Sequence, residues 1–278
     1  MAWQHSVDVL VTFDFDAETL SKQRAHERWH GPAFESHGTY GPKVGIWRIL
    51  DALDQRSIPG TFFVPGWVAE HWPDVIGELP RRGHEVGLHG YLHEYPTAMV
   101  DRAEEEMVLE RGIEALSAVT GQKPAGFRPP GFLYSSHTVE LLRANEFTYG
   151  SSMQDDDAAY LSPGSPPFVE IPCLWHLCDD LFGWHADVKL PPSAVEEHWV
   201  TELEEIGRYP GRIYVLTMHP QLVGHPGRLA MVERVLDRAV ALGANFKRCV
   251  DVANELLRIA SEASEGNASK AQPVGSEK

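Results

Sequence analysis

The chain has 278 residues, 43% hydrophobic and 23% charged, and its 24 glycines and 20 prolines follow no period, which excludes a disordered, fibrous or collagenous protein. Its 40 acidic against 24 basic residues give a formal charge of −16, a balance that repels phosphate backbones and anionic membrane faces, so neither nucleic acid nor a membrane is an expected partner. Cys173, Cys178 and Cys249 are too few and too unevenly spaced for a disulfide framework or a cysteine-based zinc site, and read as reduced thiols.

Taken in chain order, short β-branched runs alternate with longer stretches of helical period, the pattern of a sheet built from βα units. Strands are expected at Val7–Phe13, Gly60–Val64, Glu85–Leu88, Gly126–Arg128, Phe147–Ser151, Phe168–Ile171, Arg212–Met218 and Ala244–Lys247. Helices are expected at Val44–Gln55, Pro73–Arg82, Thr97–Thr120, Ser136–Ala144, Pro192–Arg208, Arg228–Leu242 and Val250–Ser261, with Ser135-Ser136 as a cap and Gly121 and Gly243 as stops. These units make an α/β chain folded as a single irregular (β/α) barrel of about seven parallel strands over residues 1–260, with the active site at the strand C-terminal ends. Residues 261–278 are almost devoid of apolar side chains and predict a disordered polar tail. The start MAWQHSVDVLVTF has no basic segment, sustained apolar run or cleavage site, which predicts a cytoplasmic protein.

The long connection from Ala17 to Lys43 carries His26, Trp29, His30, Phe34, His37 and Tyr40, and reads as a lid or a subunit contact. No internal repeat, glycine-rich phosphate loop or Gly-x-Ser-x-Gly elbow is present, so phosphoryl transfer and serine hydrolysis lack their usual support.

Five segments carry chemistry. The first strand ends in Asp14, Asp16 and Glu18 at alternate positions, so like charges share a face and need a metal or a shared proton, unless the strand simply ends in solvent. His89 and His93, four apart, can face one metal from a helical turn. His26 and His30 repeat the spacing, but only His89 directly follows a predicted strand, so the loop pair reads as structural. Arg128, in GFRPPG, is held by two prolines and either clamps a carboxylate or makes a surface ion pair. His219 ends the run RIYVLTMH as a candidate general acid or base. Glu170, Asp179 and Asp180 are acids able to pair with a histidine or arginine.

In this order TFDFD, HGYLH, RPP and LTMH resemble the motifs of the polysaccharide deacetylase superfamily, carbohydrate esterase family 4, over roughly Val7 to Leu257. The resemblance implies Asp14 as general base and Asp16, His89 and His93 as ligands of a divalent ion. Zinc comes first, with nickel, cobalt, manganese or iron open. It further implies Arg128 as the group orienting the base, His219 as the acid for the leaving nitrogen, and Asp180 as the support of His219. Phe15 separates two aspartates that are adjacent in typical members. That departure, with YGPKVGIWR and MHPQLVGHPGR, resembles the branch of cyclic imide hydrolases, allantoinase-like enzymes and peptidoglycan deacetylase-like proteins, which implies a homo-oligomer, commonly a tetramer.

The expected activity is metal-dependent hydrolysis of a non-peptide amide C–N bond in a small-molecule amide or imide, first the ring of a cyclic imide or ureide. N-deacetylation of N-acetylglucosamine glycans is the alternative, and a non-catalytic ligand-binding protein the outside one. Glu18, Trp29, Tyr40, Pro130 and Trp175 are the expected substrate contacts, with Trp184 nearby in sequence.

Overall fold

The computed structural model describes residues 3–23, 31–182 and 190–270. Among these residues nine strands form one sheet: β1 (Asp8–Asp14), β2 (Gly60–Val64), β3 (Glu85–Leu88), β4 (Gly126–Phe127), β5 (Tyr149–Gly150), β6 (Tyr160–Ser162), β7 (Phe168–Glu170), β8 (Ile213–Met218) and β9 (Asn245–Phe246). Their order is β6-β7-β5-β4-β3-β2-β1-β8, with β9 beside β1. Every pairing is parallel except that of β6 with β7. The sheet curls into a half-barrel, and a parallel bridge from Cys178 to Thr217 draws the chain after β7 alongside β8.

Among the described residues eleven α-helices connect or follow the strands: α1 (Thr19–Gln23), α2 (Pro32–Tyr40), α3 (Ile46–Asp54), α4 (Gly66–His71), α5 (Pro73–Arg81), α6 (Arg102–Thr120), α7 (Thr138–Ala144), α8 (Pro192–Ile206), α9 (Pro220–Val223), α10 (Pro226–Leu242) and α11 (Cys249–Lys270). β1 is buried on both faces from Val9 onward, as a central parallel strand must be. One layer packs Val9, Val11, Phe13, Phe62 and Val64 against the helices, while Leu10, Phe63, Tyr149 and Val215 fill the barrel with Cys249 and Val252. Local chemistry sets helix ends: Asp101 accepts the Glu104 N–H at 3.0 Å to start α6, worth about 1 kcal/mol. Gly121 and Gly243 end α6 and α10 at φ of 73° and 84°, where a side chain would strain the backbone.

Three expectations change. The 17–43 connection is partly helical: α1, then α2 running through a π turn at Gly41–Gly45 into α3. Gly45 packs backbone to backbone against Gly224 and Pro220, where any Cβ would collide, so YGPKVG and HPQLVG are joined by close packing. The last helix, α11, runs through Lys270, past the expected end at Ser261, and residues 271–278 of the expected tail lie outside the described residues. The antiparallel strand β6, half-exposed and only 3 residues long, has too little apolar pattern to be read from sequence.

Candidate active site

Asp14 is the last residue of β1, and Phe15 still donates its N–H to the Phe63 carbonyl at 2.8 Å, so the chain stays extended through Asp16. Phe15 therefore turns into the core, and Asp14 and Asp16 line the same cavity. His89 directly follows β3, and its Nδ1 lies 2.7 Å from the Arg128 carbonyl oxygen. A carbonyl only accepts, so Nδ1 carries the proton and Nε2 presents its lone pair to the site.

His93 does not reach the site from a helical turn. The segment is a loop in which Gly90 and His93 have φ of 73° and 63°. It is held by the Glu94 carboxylate, which accepts the N–H groups of Tyr91 at 3.0 Å and Leu92 at 2.7 Å. A non-glycine residue in the left-handed region costs on the order of 1 kcal/mol, a strain found at functional sites.

Asp16 Oδ1 lies 3.4 Å from His89 Nε2 and 3.7 Å from His93 Nε2, and Oδ2 lies 3.5 Å from His219 Nε2. Both oxygens are buried and neither has a hydrogen-bond partner. These separations exceed hydrogen bonds, whereas two ligands each about 2.1 Å from a tetrahedral ion stand about 3.4 Å apart. Asp16, His89 and His93 therefore fit a divalent metal ion, which the orphaned oxygens and the donor set both suit. Burial opposes ionisation of Asp16, but the imidazoles of His93, His89 and His219 hold its carboxyl well below the usual carboxylate range.

His219 differs from His89 and His93. Its Nδ1 donates to Asp179 Oδ1 at 2.6 Å, and its backbone N–H donates to Oδ2 at 2.7 Å. Burial disfavours the imidazolium, yet Asp179, helped by Asp16 and Asp14, raises its pKa to about 10. A protonated imidazole donates instead of ligating. Arg128 is wholly buried, with Nη1 donating to Asp14 Oδ1 at 2.8 Å and its guanidinium 4.2 Å from the centre of the Phe63 ring.

Above these groups is a cavity of about 260 Å³, walled by Leu20, Tyr95, Phe132 and Trp175. The structure brings together Asp14, Asp16, His89, His93 and His219 at this cavity, with Arg128 beneath Asp14. Trp175 stands at its rim, 57% exposed. Asp180 lines the cavity, but the support of His219 is Asp179, not Asp180: in a 3-10 turn adjacent side chains diverge, and it is Asp179 that is fully buried beneath the ring. Glu18, Tyr40 and Pro130 are not in the cavity wall. Glu18 accepts from Trp72 Nε1 at 3.0 Å, and Pro130 is buried close to Gly90. Tyr40 stacks on His225 and bonds Arg48 and the Gly224 carbonyl, drawn aside by the packing of α2 against α9. Trp29, Trp184, His26 and His30 lie outside the described residues. Tyr95 and Phe132 were missed by sequence reasoning, although each sits within two residues of HGYLH or RPPG.

The family profile "Polysaccharide deacetylase" matches residues 39–150. A Mycobacterium smegmatis protein assigned as a polysaccharide deacetylase has a crystal structure that superposes with a TM-score of 0.82 at 33% identity, covering 100% of this chain and 96% of that one. The chain belongs to the polysaccharide deacetylase family. As a member of that family it is a hydrolase of carbon–nitrogen bonds other than peptide bonds. The peptidoglycan deacetylase of Helicobacter pylori is 28% identical over 83% of this chain and 89% of its own length. An allantoinase structure shares the fold, with a TM-score of 0.79 at 24% identity over 89% of each chain. The three cysteines are free and buried. Among the described residues no helix is long and apolar enough to cross a membrane.

Proposed function

We propose that this chain is a metal-dependent amidohydrolase that opens the ring of a small cyclic imide or ureide. The observation that carries the reading is the cavity of about 260 Å³, walled by aromatic rings and floored by Asp14, Asp16 and His219, which suits a small ring. Asp16, His89 and His93 would hold the ion, zinc first on their oxygen and nitrogen donors, with nickel, cobalt, manganese or iron open. When bound, the ion supplies Lewis acidity to the amide carbonyl and to the attacking water.

The chain's own residues do the rest. Asp14, steadied by Arg128, takes the proton from the water. His219, kept protonated by Asp179, delivers a proton from Nε2 to the departing nitrogen, so that the opened product carries it as a neutral amide or ureido group beside the new carboxylate. Tyr95 and Phe132 limit the size of what enters.

A second reading, N-deacetylation of an N-acetylglucosamine glycan, is favoured by the exposed Trp175 at the rim, a surface on which a sugar ring can stack, and by the Helicobacter pylori relative. Acetate release from an N-acetylglucosamine oligomer, measured beside ring opening of succinimide, hydantoin and allantoin, decides between them. The reading includes a homo-oligomer, a tetramer first, and a cytoplasmic location. Exposed apolar residues such as Val100 and Met107 are surface that assembly would cover.

A further inference from the structure

We infer that Thr12 and Ser151 are positioning residues that restrict Arg128 to a single oxygen of Asp14, leaving the other oxygen to face the water. The inference rests on the assignment of Asp14 as base. Arg128 follows β4, and its fully buried guanidinium is gripped at both terminal nitrogens: Nη1 donates to Thr12 Oγ1 at 2.9 Å as well as to Asp14 Oδ1 at 2.8 Å, and Nη2 donates to Ser151 Oγ at 3.0 Å.

The direction of the Thr12 contact is fixed. Its hydroxyl proton goes to the Leu216 carbonyl of β8 at 2.7 Å, so it can only accept from Arg128. Thr12 comes from β1 and Ser151 follows β5, and Phe63 of β2 puts its ring under the guanidinium. Elements from five strands thus set the orientation of one side chain. An arginine left to itself pairs with a carboxylate through two parallel N–H···O bonds. Here Asp14 takes a single N–H, from Nη1 to Oδ1, while the other Nη1 hydrogen goes to Thr12 and Nη2 is turned to Ser151. Neither Thr12 nor Ser151 lines the cavity, so each acts through Arg128 and not on substrate.

The test compares Thr12→Val, Thr12→Ser and Ser151→Ala in the metal-loaded enzyme, recording kcat, KM, metal content and melting temperature, with rates expressed per bound metal. The expected result is a kcat lower by about ten- to a hundredfold in Thr12→Val and Ser151→Ala, with KM within about twofold of the parent and full metal content, and recovery of most of the loss in Thr12→Ser. Should Thr12→Val fold poorly, Ser151→Ala carries the test from the opposite end of the guanidinium. Parent kcat in Ser151→Ala, or a Thr12→Val loss that Thr12→Ser does not restore, overturns the inference. An Asp14→Asn variant with the parent's rate would instead bring down the assignment of the base.

Discussion

Asp179 receives both polar hydrogens that His219 offers it, Nδ1–H at 2.6 Å and the backbone N–H at 2.7 Å, so one buried carboxylate fixes the ring's orientation, tautomer and charge. His219 is raised from 6.5 to about 10, despite burial that opposes its charge, by Asp179 foremost. The imidazolium therefore persists through neutral pH, and the proposed general acid is lost only as pH rises through the folded value.

Asp179→Asn is expected to lower kcat by about a hundredfold or more and to move the alkaline limb of the pH–rate profile to lower pH, because the imidazolium loses its partner. Asp180→Asn should leave that limb where it is. A pH profile for both variants checks the assignment; an effect confined to Asp180→Asn would reverse it.

His89→Ala or His93→Ala should remove bound metal and most activity. His26→Ala and His30→Ala should retain it. Elemental analysis after dialysis reads both, and full metal content in His89→Ala would refute the ligand set.

Asp14→Asn should abolish turnover yet bind metal in full, since the carboxylate is assigned as base. Arg128→Ala should be worse for the fold than for the metal: it strands a buried carboxylate and deletes packing on Phe63, a loss of about 3–5 kcal/mol. Adding Asp14→Asn to Arg128→Ala removes the stranded charge and should restore part of the melting temperature. Thermal unfolding of the single and double variants measures it.

Much of this site was legible because it lies at strand ends. Asp14, Asp16, His89, Arg128 and His219 each lie at or just beyond the C-terminal end of a parallel strand, and in a parallel barrel those ends converge whatever the loops do. The choice between Asp179 and Asp180 was not legible, since a 3-10 turn has no two-residue alternation to say which neighbour points inward. His93 lines the cavity, but not from the helical turn that its spacing suggested: H-x-x-x-H fits a helical turn and a left-handed loop equally, and Glu94 bonding two backbone N–H groups chose the loop. Tyr40 looked like a substrate contact because it is aromatic in a long connection. Only tertiary packing reveals its stack on His225, residues remote in sequence.

Trp175→Ala separates the substrate readings. With a small ring held by Tyr95 and Phe132, removal of a half-exposed rim residue should change kcat/KM for ring opening by about threefold or less, whereas a sugar platform should lose about tenfold or more on an oligomer.

The most direct test of the account is one panel: kcat/KM of the zinc-loaded protein for succinimide, hydantoin, allantoin and an N-acetylglucosamine oligomer, repeated after chelation and after metal is restored. The account predicts that at least one small ring is opened faster than the oligomer releases acetate, and that this activity vanishes with chelation and returns with the ion. Acetate release outrunning every ring opening, or ring opening indifferent to chelation, would contradict it.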